Sequence, residues 1–156
     1  MGSGYGANAA DVIEEKDIKK VGKCKKLFAA LEDALGEEFG IDDLAQQIQS
    51  NGDIDSAIEE MFPAEEGRSE IENQSRAISG NLVKTAYEGL CSEFKKLTGL
   101  TIELSYHSQE DDGDRYDDVS GAYWDVWGWY CVSPQAKKAQ KKYKIKVETK
   151  GFVTFG

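Results

Sequence analysis

Two stretches of the chain gather residue types that could do chemistry at close spacing. The first is Glu110-Asp111-Asp112-Gly113-Asp114-Arg115-Tyr116-Asp117-Asp118, with six carboxylates and one arginine in nine residues. Oxygen ligands at that density suit a hard cation such as calcium, with Asp112, Asp114 and Asp118 as candidate ligands. An EF-hand begun at Asp112 would need an oxygen ligand where Tyr116 stands, glycine where Asp117 stands and glutamate where Tyr123 stands, so that pattern fails. A looser cation site, a solvated loop and an acidic docking loop remain.

The second stretch is residues 122–132, Ala-Tyr-Trp-Asp-Val-Trp-Gly-Trp-Tyr-Cys-Val. Its composition predicts a strand. In a strand Trp124, Val126, Tyr130 and Val132 share one face, and Tyr123, Asp125, Trp127, Trp129 and Cys131 share the other. One face packs on a helix. The other either lies under a second helical layer or forms an aromatic recognition surface, because Trp and Tyr are enriched among binding hot spots. With the neighbouring carboxylates, the candidate partner-binding residues are Tyr123, Trp127, Trp129, Asp111, Asp112, Asp117 and Asp118.

Nucleophilic or acid–base chemistry has thinner support. His107 is the only histidine. It follows an alternating segment and borders the acidic loop, where a carboxylate could orient it. Cys24, Cys91 or Cys131 could supply a thiol, yet Cys24 and Cys91 sit on or beside apolar helical seams and read as core. The P-loop, GxGxxG, HExxH and GxSxG patterns are all missing.

The chain has 156 residues, 17.3 kDa, 40% apolar residues and a net charge of −10. That is enough to bury a core and too much for a wholly disordered chain. Residues 16–29 carry a net +5, residues 30–82 a net −12, residues 105–125 a net −6 and residues 126–156 a net +6. Such blocks are either interleaved solvated patches or a polarised surface that steers a basic partner. Three arginines in the chain argue against a phosphate-reading surface, and the acidic majority opposes nucleic acid. No run approaches the roughly 20 apolar residues of a membrane span. Three cysteines at irregular spacing are not a disulfide framework. With an N-terminus lacking signal-peptide regions, they lead us to expect a cytoplasmic protein with reduced thiols.

Residues 1–10 are expected to be a flexible lead-in. Val21, Cys24, Phe28, Leu31 and Leu35 step by three and four, which predicts a helix over 11–35, capped by Asn8 or Asp11 and ended by Gly36. Short helices follow over 42–50, with Leu44, Ala45 and Ile48 inward, and over 54–62, with Asp53 as cap and Pro63 as stop. Residues 63–69 are the candidate linker. Residues 69–98 predict a further helix whose seam runs Ile78, Leu82, Val83, Tyr87, Leu90, Phe94 and Leu97, with a break conceivable at Ser79-Gly80-Asn81 and Gly99 as cap. The period then falls to two: Leu100, Ile102, Leu104 and Tyr106 alternate with polar residues. A lysine-rich helix over 135–142, a strand through Tyr143, Ile145 and Val147, a turn at Lys150-Gly151 and a strand over 152–155 complete the reading.

Residues 51–62, Asn-Gly-Asp-Ile-Asp-Ser-Ala-Ile-Glu-Glu-Met-Phe, resemble the last turn and third helix of ubiquitin-associated (UBA-type) three-helix modules. The resemblance covers a dozen residues of 156, and Glu37-Glu38-Phe39-Gly40 stands where those modules have a Met-Gly-Phe loop. It implies a three-helix arrangement and carries no ubiquitin-binding residue over.

Helices first and strands later predict an α+β fold: an N-terminal three-helix segment over 11–62, then residues 70–156 as a helix packed on a small antiparallel sheet of three to four strands. The function expected is that of a small acidic cytosolic protein-binding module without a cofactor, such as an inhibitor or immunity-type protein masking a basic surface. The alternatives are a calcium-binding module built on residues 110–118 and a small enzyme with His107 in its site.

Overall fold

The structure, a computed structural model, describes residues 5–110, 123–131 and 137–155; for 5–10, 107–110, 123–126, 137–139 and 149–155 it describes the backbone. In chain order the elements are β1 (Tyr5–Ile13), α1 (Glu15–Ile18), α2 (Cys24–Leu35), α3 (Ile41–Asn51), α4 (Ile54–Met61), α5 (Glu70–Thr98), β2 (Ile102–Glu110), β3 (Tyr123–Cys131), α6 (Lys137–Tyr143) and β4 (Val147–Phe155). The four strands form one antiparallel sheet in the order β2-β3-β1-β4, which is the α+β class expected.

The helices form where period and caps coincide. The predicted stripe of α2 is buried along its whole length, from Val21 and Cys24 to Leu31 and Leu35. Gly36, at φ +69°, ends it. The Asp53 carboxylate accepts the Ser56 N–H at 2.7 Å and starts α4. The Ser69 hydroxyl accepts the Glu72 N–H at 3.2 Å and starts α5. Gly99, left-handed at φ +77°, closes α5.

Several expectations are corrected. The strand expected through Tyr143, Ile145 and Val147 begins only at Val147, because Tyr143 ends α6 and Lys144 turns the chain at φ +55°. Residues 5–13 are not a flexible lead-in running into a helix. They are β1, paired with β4 from Tyr5↔Phe155 to Ile13↔Val147 and with β3 at Asp11↔Cys131, Val12↔Tyr130 and Ile13↔Trp129. The helix expected over 11–35 is therefore only α1 and α2, separated at Gly22, where φ is +47° and the Glu93 carboxylate takes the Lys23 N–H at 2.8 Å. β4 runs straight through Lys150-Gly151, since both residues are held in register against Ala10 and Ala9. Finally, α5 is continuous across Gly80, and Ile78 and Leu82 are exposed on its outer side, while Val83, Tyr87, Leu90 and Phe94 form the buried seam.

β1 lies inside the sheet formed with the C-terminal strands, between β3 and β4. α2, α3 and α4 are the expected N-terminal run of three helices, with β1 and the short α1 ahead of it. α2 packs chiefly along α5, and α3 packs chiefly against β2, where the Ser105 hydroxyl donates to Gln49 Oε1 at 2.9 Å. α4 bridges α3 and α5.

Two buried features bear on stability. Gly80 faces α4 so closely that a Cβ there would lie 2.8 Å from Ile58 Cγ2 and 3.3 Å from Phe62 Cβ. Ile58 is branched at Cβ and cannot swing its Cγ2 away freely. Asp17 is buried and accepts both Lys20 Nζ at 2.7 Å and the Lys146 N–H at 3.1 Å, joining α1 to the start of β4. Burial pushes its carboxyl up, but these hydrogen bonds and the nearby Lys16 hold it below the ordinary value.

Gly80→Ala should lower stability by about 1 kcal/mol or more in urea unfolding, because overpacking outweighs the gain in helix propensity. Asp17→Asn should cost about 2 kcal/mol at neutral pH. A carboxyl depressed by folding stabilises above its unfolded pKa and loses that contribution as pH falls through its folded pKa. The gap between native protein and Asp17→Asn should thus be full at pH 7 and close below the ordinary value of 3.8.

Candidate functional site

β3 places Trp127 and Trp129 on the same face of the sheet, two residues apart, and the helical layer treats them differently. Trp129 is 1% exposed. Its ring meets Phe28 of α2 edge-on at 5.3 Å and stacks on Tyr87 of α5 at 5.8 Å. The Tyr87 hydroxyl in turn accepts the Leu104 N–H at 3.0 Å. Trp129 is therefore core and does not belong to the partner-binding set in which the sequence placed it. The face it shares with Trp127 is covered by α2 and α5 together. On the opposite face Tyr130 is also buried, which pushes its hydroxyl up to about 12.

Trp127 remains 42% exposed because α2 stops short of it. The chain leaves α2 at Gly36 and swings through Phe39 and Gly40 into α3. This leaves a hollow of about 370 Å³ beside the indole. Leu35, Phe39 and Ile41 make its apolar wall, and Glu15, Glu32 and Asp42 bring carboxylates to it. Phe39 is fixed by an edge-on contact with Phe62 at 5.3 Å. The α3 end of the wall is fixed by the Asp43 carboxylate, which accepts the Gly40 N–H at 2.8 Å. Glu15 is paired with Lys19 at 3.0 Å. Glu32 and Asp42 make no ion pair among the described residues.

A hollow lined by an indole and by two carboxylates without an ion pair among the described residues suits a cation carried on an apolar stem. The ring quadrupole attracts the charge and contributes about 0.5–2 kcal/mol, depending on how far the cation is desolvated. The carboxylates accept its N–H donors in charge-assisted hydrogen bonds. The apolar wall accommodates the methylenes of a lysine or arginine side chain.

Of the other residues singled out in the sequence, Tyr123 begins β3 opposite Glu110, and His107 lies in β2 opposite Val126; both are placed by backbone alone. Asp111, Asp112, Asp114, Asp117 and Asp118, and with them the calcium site, lie outside the described residues. Among the described residues no group of acidic, histidine or cysteine side chains is arranged to hold a metal ion, and no helix is long and apolar enough to cross a membrane. Burial pushes the Cys24 thiol up to about 11, with Glu93 adding to the shift, and the Cys91 thiol up to about 12. Protonated at neutral pH, both are poor nucleophiles.

Glu15, Glu32, Phe39, Ile41 and Asp42 were not picked out by sequence reasoning. They come from three separate segments, and the one local signal is Gly36, which marks where α2 must stop. Comparison with protein-family models, with curated proteins and with solved structures gives no match.

The two tryptophans make opposite predictions. Trp129→Ala should cost about 3–5 kcal/mol and destroy near-ultraviolet circular dichroism. Trp127→Ala should cost about 1 kcal/mol and leave the fold intact.

Proposed function

We propose that this chain is a small acidic protein-binding module that takes a lysine or arginine of a partner protein into the Trp127 hollow. An inhibitor or immunity-type protein that masks a basic surface is the most concrete form of this reading. One observation carries it: a half-exposed Trp127 lines the same hollow as Glu32 and Asp42, two residues along β3 from a tryptophan that is fully buried. Hot spots are enriched in tryptophan, and a side chain filling the hollow would complete the packing around Trp127. The net charge of −10 supports the same reading, because it would steer a basic partner to the surface before the hollow is filled.

The test begins with the immobilised chain and its Trp127→Ala variant exposed to the same native lysate, with retained proteins identified by mass spectrometry. A true partner should be rich in exposed Lys or Arg, be held by the native chain and be lost from the variant. With that partner in hand, the two kinds of contact separate kinetically. Glu32→Gln combined with Asp42→Asn should slow association and flatten its salt dependence. Trp127→Ala should speed dissociation by roughly 30-fold, the equivalent of about 2 kcal/mol. A partner that binds both variants as it binds the native chain would place the interface elsewhere.

A further inference from the structure

The hollow lies beside an interrupted strand lane. β3 has β2 along one side from Tyr123 to Cys131, but β1 along the other only at Trp129, Tyr130 and Cys131. Continuing the register Ile13↔Trp129 would set Glu15 opposite Trp127. Instead the chain turns at Glu14, whose carbonyl accepts the Asp17 N–H at 3.0 Å, and Glu15 opens α1. Along Tyr123–Gly128 no strand occupies the β1 side of β3 among the described residues.

The ladder fixes which backbone groups face that empty lane. Leu104 N–H goes to the Tyr87 hydroxyl and therefore points away from β3. Leu104 and Trp129 are thus a wide, non-hydrogen-bonded pair of the β2–β3 ladder, and Trp129 directs its own N–H and C=O towards Ile13 of β1. The alternation has a period of two, so Trp127 directs its N–H and C=O into the same lane, and so do Asp125 and Tyr123. A residue placed opposite Trp127 in an antiparallel added strand would project its side chain to the same face as the indole, into the hollow bordered by Glu32 and Asp42.

We propose that the partner is engaged by strand addition. An extended segment of it pairs antiparallel with Tyr123–Trp127, in the lane that β1 vacates at Ile13, and the segment's residue opposite Trp127 is a lysine or arginine that enters the hollow. The inference rests on the proposed function and deepens it, because it states the conformation and register of what binds. Main-chain hydrogen bonds hold the segment and the hollow selects its side chain. Charge complementarity commits the lane to a basic peptide segment. A second copy of this chain would bring its own excess of carboxylates against Glu32 and Asp42.

The probe is a blocked hexapeptide of alternating lysine and valine, titrated into the ¹⁵N-labelled full chain. Two analogues carry backbone N-methyl groups, one on every lysine and one on every valine. If lysines sit opposite Trp127, Asp125 and Tyr123, their N–H groups donate into β3, whereas the valine N–H groups point outward. The parent and the valine-methylated peptide should bind alike and slow exchange of the Trp127 amide at least tenfold. The lysine-methylated peptide should bind at least tenfold more weakly. Equal binding of all three, weakened in each case by Trp127→Ala, would overturn strand addition and leave the cation hollow standing. Binding of none of them, or binding unaffected both by Trp127→Ala and by Glu32→Gln with Asp42→Asn, would overturn the proposed function and this inference together. The double carboxylate variant lies at the surface, so it keeps the test decisive should Trp127→Ala perturb the fold.

Discussion

The indole of Trp129 is the point through which the sheet and the helical layer are joined. Its backbone pairs with Ile13 of β1 on one side and Leu104 of β2 on the other, and its ring fills the space between Phe28 and Tyr87. Tyr87 closes the circuit by accepting the Leu104 N–H. Three strands and two helices are thus held in register by one residue and its immediate neighbours. The site has a cost. Trp129 Nε1 has no hydrogen-bond partner among the described residues, and leaving a buried donor unmade costs about 1–3 kcal/mol. The area that a tryptophan buries outweighs that loss where no smaller side chain would reach from the sheet to both helices.

Everything at the candidate site follows from how far this contact extends. α2 and α5 close over the ring of Trp129, whereas α2 ends at Gly36 beside the hollow that leaves Trp127 half-exposed. Alternation in the sequence gives Trp127 and Trp129 the same face and no reason to differ. Only the length of a helix nearly a hundred residues earlier in the chain decides which ring is core and which is surface. The carboxylates of the hollow were illegible for the same reason, since Glu32 and Asp42 are ordinary polar positions until the turn at Gly36 brings them beside β3. Local chemistry was readable: the stripe of α2, the Asp53 and Ser69 caps, and the period-two segment of β2. β1 was not, because Tyr-Gly-Ala-Asn-Ala-Ala-Asp is poor in β-branched residues and has no clear alternation. It becomes a strand because β4 lies alongside it, and strand preference depends heavily on such neighbours. Lys150-Gly151 likewise has turn chemistry that pairing overrides.

The charge blocks of the sequence acquire a geometry. Lys20 Nζ donates to the Lys144 carbonyl at 3.3 Å, and Asp17 accepts the Lys146 N–H, so lysine stretches from the two ends of the chain meet around α1. Much of that basic charge is answered within the same region, by Glu14, Glu15, Asp17 and Glu148. Glu32 and Asp42 at the hollow have no ion-pair partner among the described residues. Those two carboxylates share their hollow with an exposed aromatic ring, and the field of a surface charge reaches about 8–10 Å into physiological salt.

The order of the strands also sets a timetable for synthesis. β1 leaves the ribosome ahead of the other described elements, yet its nine-residue pairing is with β4, the last of them. At about 5–20 residues per second, translation separates the two by on the order of ten seconds. Over that interval α2 to α5 can assemble around their own contacts, while the first strand of the sheet has neither of its edges satisfied. An unpaired strand tethered to a folding domain is an invitation to pair with another nascent chain. The weak strand propensity of Tyr5–Ala10 works against that: a segment that becomes β structure only when β4 arrives is one that stays out of the wrong sheet until then.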